Sequence, residues 1–388
     1  MANAQANVVA TRYIVETTAG TTPSAPLTNL RCKTPEFNAT INTTTSQELR
    51  SDRMVADLVR TSASSEGSIG FELSAVEYEP FIESALGGVF STAISISSST
   101  ISVTTGDSSY NGSGFSTTNI LPGHWLKFAG FTNAANNRIA RVVSVTASKI
   151  VIEPRGTALV TETTGAAVTI KGKSVRNGTT KKTFTIERQF TDLSNEFMSH
   201  VGMMVNTMNI NTASEAVIEG SFNFVGRASA VTTATVGSGT AVTATANPIM
   251  SSVANVGTIY ENGTAVSGVY FKSINLATNN NTRSLTAIGN LYPIDINMGS
   301  FGAEFTTDAF FANTTLLSKY LAGTATELSY NFVDDSGNYI VIDAPQVKFS
   351  AGSLSGVTLN SDVMVALTGT ALYDSTLGYM LQVSYLPA

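Results

Sequence analysis

The chain has 388 residues, of which 43% are hydrophobic and 13% charged, with 31 glycines and a formal net charge of −6. That length accommodates two or three compact units with cores of their own, and the composition excludes a disordered chain. The acid excess, with no dense cluster of Lys and Arg, excludes a protein that grips nucleic acid by neutralising phosphates.

Residues 1–30 read as an N-terminal arm; Met1 to Val9 lacks the charged and apolar regions of a signal peptide. Gln47 to Arg60 is the most charged stretch, with Glu48, Arg50, Asp52, Arg53, Asp57 and Arg60 set among Met54, Val55, Leu58 and Val59. Mixed signs among apolar residues suit a specific protein contact, although a solvated loop accounts equally well for the residues alone. Ile69, Phe71 and Leu73 then alternate with polar or small neighbours, the period of a half-buried strand. A helix is predicted from Ser74 to Leu86, with Ser74 and Glu77 as a capping pair, Pro80 limiting it and Gly87 ending it.

Short strands are predicted through Val89 to Thr180, at Ile94 to Val103, Leu126 to Phe131, Ile139 to Val145, Lys149 to Ile152 and Val168 to Ile170. Such a run forms a small barrel or sandwich. Lys171 to Lys182 is basic but diluted by Gly and Thr, and reads as a solvated hairpin. Ala230 to Asn247, rich in Thr, Ala, Val and Gly, reads as an extended connector. Phe301, Ala303 and Phe305 alternate as a strand, and a second helix is predicted from Thr307 or Asp308 to Leu321, ended by Gly323. Asp334 to Asn338 lacks the closing Glu of a calcium loop and reads as a hairpin turn between Leu328 to Val333 and Tyr339 to Ile342.

The two halves correspond in order. Gly67 to Glu72 matches Gly299 to Glu304, each followed by a helix; Phe37 to Asn42 resembles Ile274 to Asn279; Phe190-Thr191-Asp192 resembles Phe332-Val333-Asp334. Phe224 to Ala228 matches Leu367 to Ala371, with Glu219 and Asp362 at the same offset before the glycine. One unit is thus written twice, the first copy interrupted. The predicted organisation is an arm at 1–30, a first domain from 31–88 and 181–229, an inserted β domain at 89–180, a linker at 230–247 and a second domain at 248–388.

Chemistry has little to build on. Cys32 is the sole cysteine, and His124 and His200 are the sole histidines, so no disulfide forms within the chain and a metal site needs carboxylates brought from afar. The nucleophile elbow, phosphate loop and dinucleotide fingerprint are absent. The residues predict no catalytic site, no metal and no cofactor.

Glu16 to Pro23 through Arg31, then Glu48-Leu49-Arg50-Ser51-Asp52-Arg53 and Val55 to Leu58, resemble the opening of the tail tube proteins of long-tailed phages, the siphophages. Ser336 to Tyr339, Ala344 to Val347 and Ala371 to Asp374 are similar to the family's close. The resemblance implies a mainly β chain of two tandem β-sandwich domains, each with one flanking helix, plus the small inserted domain. One sheet of each sandwich joins its neighbours' sheets around a channel. Asn42 to Glu66 matches the family's loop that reaches the next ring, carrying Glu48, Arg50, Asp52, Arg53, Asp57 and Arg60; the arm contacts a neighbour, and the insertion decorates the outside. Two units per chain predict rings of three chains with pseudo-sixfold symmetry. A channel that passes DNA without holding it calls for acidic or neutral lining, and Glu72 with Glu304, then Glu219 with Asp362, are the candidate lining acids; ordinary solvent-facing positions are the competing reading. The implied partners are further copies, a tape measure protein and tail terminator or initiator proteins, with DNA passing unbound and no membrane. Assembly is expected in the host cytoplasm and residence in the virion tail. An exported β-domain adhesin or surface-layer protein is the alternative, and the missing signal peptide speaks against it.

Overall fold

The computed structural model describes residues 3–164, 167–356 and 358–388. Strands dominate, in large antiparallel sheets; no barrel closes among the described residues, and the architecture is that of β-sandwiches.

One sheet organises the molecule. Its strands lie in the order Glu36–Thr45, Leu58–Glu72, Glu219–Gly226, Phe197–Ala213, Phe271–Asn279, Gly302–Phe310, Met364–Ala371 and Tyr339–Ser355. All pairings are antiparallel, and the fourth and fifth strands join across seven residue pairs, from Thr207 opposite Asn279 to Ala213 opposite Ser273. Alternation along each strand sorts the faces: Ile69, Phe71, Met208, Ile210, Phe222, Phe224, Leu276 and Phe305 point into the core, while their neighbours are Ser, Thr, Asn, Gly and Glu, with Val225 and Ala277 as the apolar exceptions.

The strands Phe197–Ala213 and Tyr339–Ser355 are 17 residues each and run through two layers. Their first parts belong to outer sheets. Phe197–Ala213 pairs there with Phe184–Phe190 and Ala228–Thr232, and Tyr339–Ser355 with Thr326–Val333 and Gln382–Leu386. Each then enters the eight-stranded sheet, at Met204 in one and Val347 in the other, and is bulged shortly afterwards, at Asn206 and Ser350. The layers close on a core of stacked aromatics, with Phe71 on Phe222 at 4.7 Å and Phe81 on Phe184 at 4.7 Å between ring centroids.

Several expectations are corrected. Helix α1 is Glu79–Leu86, since Val76 adopts φ +73° and Ser74 bridges to Ile249, so the chain cannot become helical before Pro80 sets the first turn. Helix α2 is Thr315–Ala322: Thr307 to Phe310 continue the strand, because the alternation of Ala303, Phe305, Thr307 and Ala309 toward the core runs on unbroken. Gly87 and Gly323 end the helices in the left-handed conformation, as expected. Asp334 to Asn338 is the expected hairpin turn, with Asp334 Oδ1 accepting from the amides of Ser336 and Asn338. The matched hexapeptides differ in placement: Gly67 to Glu72 ends its strand, whereas Gly299 to Phe301 precede theirs. Glycine and serine alternating with apolar residues repeat every two positions, so the match slid along the strand.

Residues 9–15, within the stretch read as an arm, form a strand of the chain's own outer sheet opposite Phe184–Phe190. Residues 230–247 are held to the rest of the chain along their length. Glu187 accepts from Thr235 Oγ1 and the Val236 amide, Val242 bridges to Thr28, and Glu77 accepts from the Thr245 amide and hydroxyl.

The segment 89–180 folds as an open, curled sheet around its own core of Tyr110, Phe115, Phe128, Ile150 and Ile170. Its last strand, Val168–Arg176, leaves that sheet to pair through 173–176 with Gln382–Leu386.

Candidate functional surfaces

The polar face of the eight-stranded sheet is a broad surface built from regular cross-strand rows. Across it run rows of facing residues: Glu72, Glu219, Asn211, Asn275, Thr306 and Thr368 in one, and Ser221, Asn209, Ala277, Glu304, Thr370 and Lys348 in the next. A depression of about 490 Å³ lies over Thr207, Asn223, Asn279 and Glu304. Short polar side chains on a pleated face hold water, and the isolated Val225 and Ala277 make no contiguous apolar patch. The charges on it are chiefly acidic: Glu66, Glu72, Glu219, Glu304 and Asp308 against Lys348 and the Lys33 ammonium that reaches it from the loop before Glu36–Thr45.

The four acids singled out from sequence fall in different settings. Glu72 and Glu219 are cross-strand partners, bridged by Lys33, whose ammonium donates to Glu219 and stands 4.0 Å from Glu72. That hydrogen bond raises the Lys33 pKa. Glu304 faces Thr370 and Ala277, so it does not occupy the place in its strands that Glu72 occupies. Asp362 lies outside the strands, in the turn before Met364–Ala371, whereas Glu219 begins its strand. Glu66, which sequence reading passed over, sits on the same face opposite Asn38 and Val225.

The charged stretch 47–60 forms the tip of the hairpin built by Glu36–Thr45 and Leu58–Glu72. Leu49, Met54, Val55 and Leu58 are exposed there. Arg50 Nε donates to Asp52 Oδ1 at 2.9 Å, and this bond lowers the Asp52 pKa. Arg53 turns the tip at φ +58°, and the Asp57 carbonyl accepts from the Ser46 amide at 2.9 Å. Glu48, Arg53, Asp57 and Arg60 form no ion pair among the described residues.

The histidines are placed for packing. His200 Nδ1 lies 3.1 Å from Ser65 Oγ and 2.8 Å from Ser229 Oγ, and burial, reinforced by Arg188, pushes its pKa down to about 4. His124 is likewise lowered to about 4, by burial and then Arg176. Among the described residues no three His, Cys, Asp or Glu side chains group as metal ligands.

Two buried polar clusters escaped the sequence reading. The Glu16 carboxylate accepts from the amides of Gly20 and Gly202 and from the hydroxyls of Thr183 and Thr185, all within 2.7 to 2.8 Å, and so ties the first strand to the outer sheet. Arg141 and Arg155 of the inserted segment meet Glu327 and Asp343 of the second outer sheet. Arg155 also stacks on Trp125 and Tyr260, at 4.9 and 5.2 Å from the ring centres. An isolated acid such as Glu16, Glu327 or Asp343 carries no sequence signature of such a role.

The sequence model of a family described as phage tail tube protein matches residues 6–371. No curated protein matches the chain.

Proposed function

The chain belongs to the phage tail tube protein family, a structural family whose members build the tail of the virion by self-assembly, and from that membership we propose that it forms rings of three chains stacked around a channel for DNA in a siphophage tail. The observation that carries this reading is the continuous eight-stranded sheet with one polar face, ended by two strands, Glu36–Thr45 and the 351–355 end of Tyr339–Ser355, that each pair on one side only.

Two four-stranded units side by side account for the strand order. In each half the chain makes two adjacent strands, a helix, an outer strand, a long strand shared between layers, and then the strand that fits between the second and the last. The domain division read from sequence stands as part of this proposal, with the tandem halves as copies of one unit. Three chains supply about 24 strands, and at ~4.8 Å spacing with ~40° tilt these close a barrel roughly 50 Å across between backbones, wide enough for a duplex.

The polar face lines that channel. The bulges fix which residues correspond: Val205 opposite Phe224 corresponds to Phe349 opposite Gly369. Carried across the sheet, this register sets Glu66 in the place of Glu304, so the pair repeated around the ring is Glu66 and Glu304. Six carboxylates at one level repel the phosphate backbone and keep DNA from adhering. The hairpin tip bearing Leu49, Met54 and Val55 contacts the next ring, the inserted segment faces outward, and the tape measure and terminator or initiator proteins are the further partners. Assembly takes place in the host cytoplasm.

Negative-stain electron microscopy of the purified chain tests the reading. Rings or tubes with threefold modulation are expected; dispersed single particles at every concentration count against it.

A further inference from the structure

The joint between the two halves of the sheet is a template for a contact the single chain leaves open. Within the chain, Thr207, Asn209 and Asn211 face Asn279, Ala277 and Asn275. The bulges put Ala351 in the place of Thr207, because each is the first paired residue after the shift, opposite Thr368 and Asn223 respectively. At the other edge, Ala277 faces Glu304 as Asn38 faces Glu66. The 351–355 edge therefore repeats the 207–211 edge, and residues 36–40 repeat residues 275–279.

Burial marks what is missing. Ile210, beside the internal joint, is 2% exposed, while Leu354 in the corresponding place is 44% exposed. Asn280 is 3% exposed, its Nδ2 donating to the carbonyls of Ser84 in α1 and Val205, while the corresponding Ile41 is 43% exposed. Every residue of α1 from Phe81 to Leu86 is buried; α2, on the equivalent connection, buries none, and Leu321 lies open. The same elements are covered where the chain supplies a neighbour and bare where it does not.

We propose that the 351–355 edge of one chain pairs antiparallel with the 36–40 edge of a second copy in the internal register: Ala351 opposite Thr40, Ser353 opposite Asn38, Ser355 opposite Glu36. Ile41 of that copy then packs on α2 as Asn280 packs on α1. The pairing is head to tail, so each added copy presents the same free edge again, and the series ends only by closing. The Phe37 carbonyl already accepts from Arg188 Nη2 at 2.6 Å, and its second lone pair is left for the incoming strand. This inference rests on the tube reading for its closure into a ring, and the register belongs to it alone.

Cysteine pairs in the full chain, with Cys32→Ser as background, test the register. N209C with A277C is the internal control and gives a disulfide that leaves a monomer band. S353C with N38C, oxidised mildly, is expected to convert monomer into covalent species of two and three chains on a non-reducing denaturing gel. S353C with N42C is four residues out of register, about 13 Å along the strand and beyond disulfide reach, and is expected to stay monomeric. Cross-linking by the second pair, or none by the first at any protein concentration, overturns the register. Rings or tubes on grids of the same sample then leave the tube reading standing, whereas single particles throughout remove it as well.

Discussion

Replacing Arg155 by alanine removes the group that fastens the inserted segment to the second outer sheet. Its guanidinium donates to Ser329 Oγ at 2.8 Å and Glu153 Oε2 at 2.7 Å, pairs with Glu327, and covers Trp125 and Tyr260. Breaking a buried ion pair costs about 3 to 5 kcal/mol, mostly through the charge left behind, and the lost cation–π contacts add about 1 kcal/mol. Arg141 remains 3.2 Å from Glu327 and offsets part of this, so a loss of about 3 to 4 kcal/mol is expected for the transition that undocks the segment. Trp125 is the only tryptophan in the chain, and its fluorescence through a urea titration reads that transition directly. Burial already raises the Glu327 pKa. A raised carboxyl favours its protonated form, so the penalty is absent below the unfolded value near 4.5 and grows as pH rises through the folded one; the deficit at pH 7.5 exceeds that at pH 5. Arg155→Met with Glu327→Gln, which removes both charges, is expected to recover most of the loss. A deficit under about 1 kcal/mol for Arg155→Ala at pH 7.5, or one that does not change with pH, refutes the reasoning.

Two further outcomes follow from the geometry. His200 has its pKa depressed to about 4 in the fold, so its stabilisation is full above the unfolded value near 6.5 and is lost as pH falls to about 4. At about 1.4 kcal/mol per unit this one group removes about 3 kcal/mol. His200→Asn flattens the fall in urea midpoint between pH 7 and pH 4.5, and equal slopes for the two proteins contradict the assignment. Glu66→Lys with Glu304→Lys turns the repeated acids of the polar face into phosphate-binding cations; rings still form while DNA ejection slows severalfold, and unchanged ejection counts against the lining role.

Period-two alternation made the strands around Ile69, Phe222 and Phe305 legible, and Gly87 and Gly323 marked the helix ends. The same alternation hides their register: a pattern that repeats every second residue is indifferent to sliding by two, four or six, and under the proposed two-unit register Glu66 rather than Glu72 corresponds to Glu304. Phe310 and Phe311 satisfy helical and extended spacing alike, and only the partner strands Phe271–Asn279 and Met364–Ala371 decide between them. The arm could not be read as a strand, since its partner Phe184–Phe190 lies some 170 residues away and Glu16, which fixes it, is one acid among many. The hairpin tip was legible as a charged, apolar-flecked stretch, yet Leu49 and Met54 gain meaning only when seen to project from the sheet.

Phe197–Ala213 and Tyr339–Ser355 each carry a single backbone from the outer layer into the inner one. A load that stretches one layer is thus passed to the other through peptide bonds, not through side-chain contacts that can slip. Such a two-layered unit resists shear between its layers as a ribbed plate does, and in the proposed tube bending would fall to the seams between rings rather than to the unit itself.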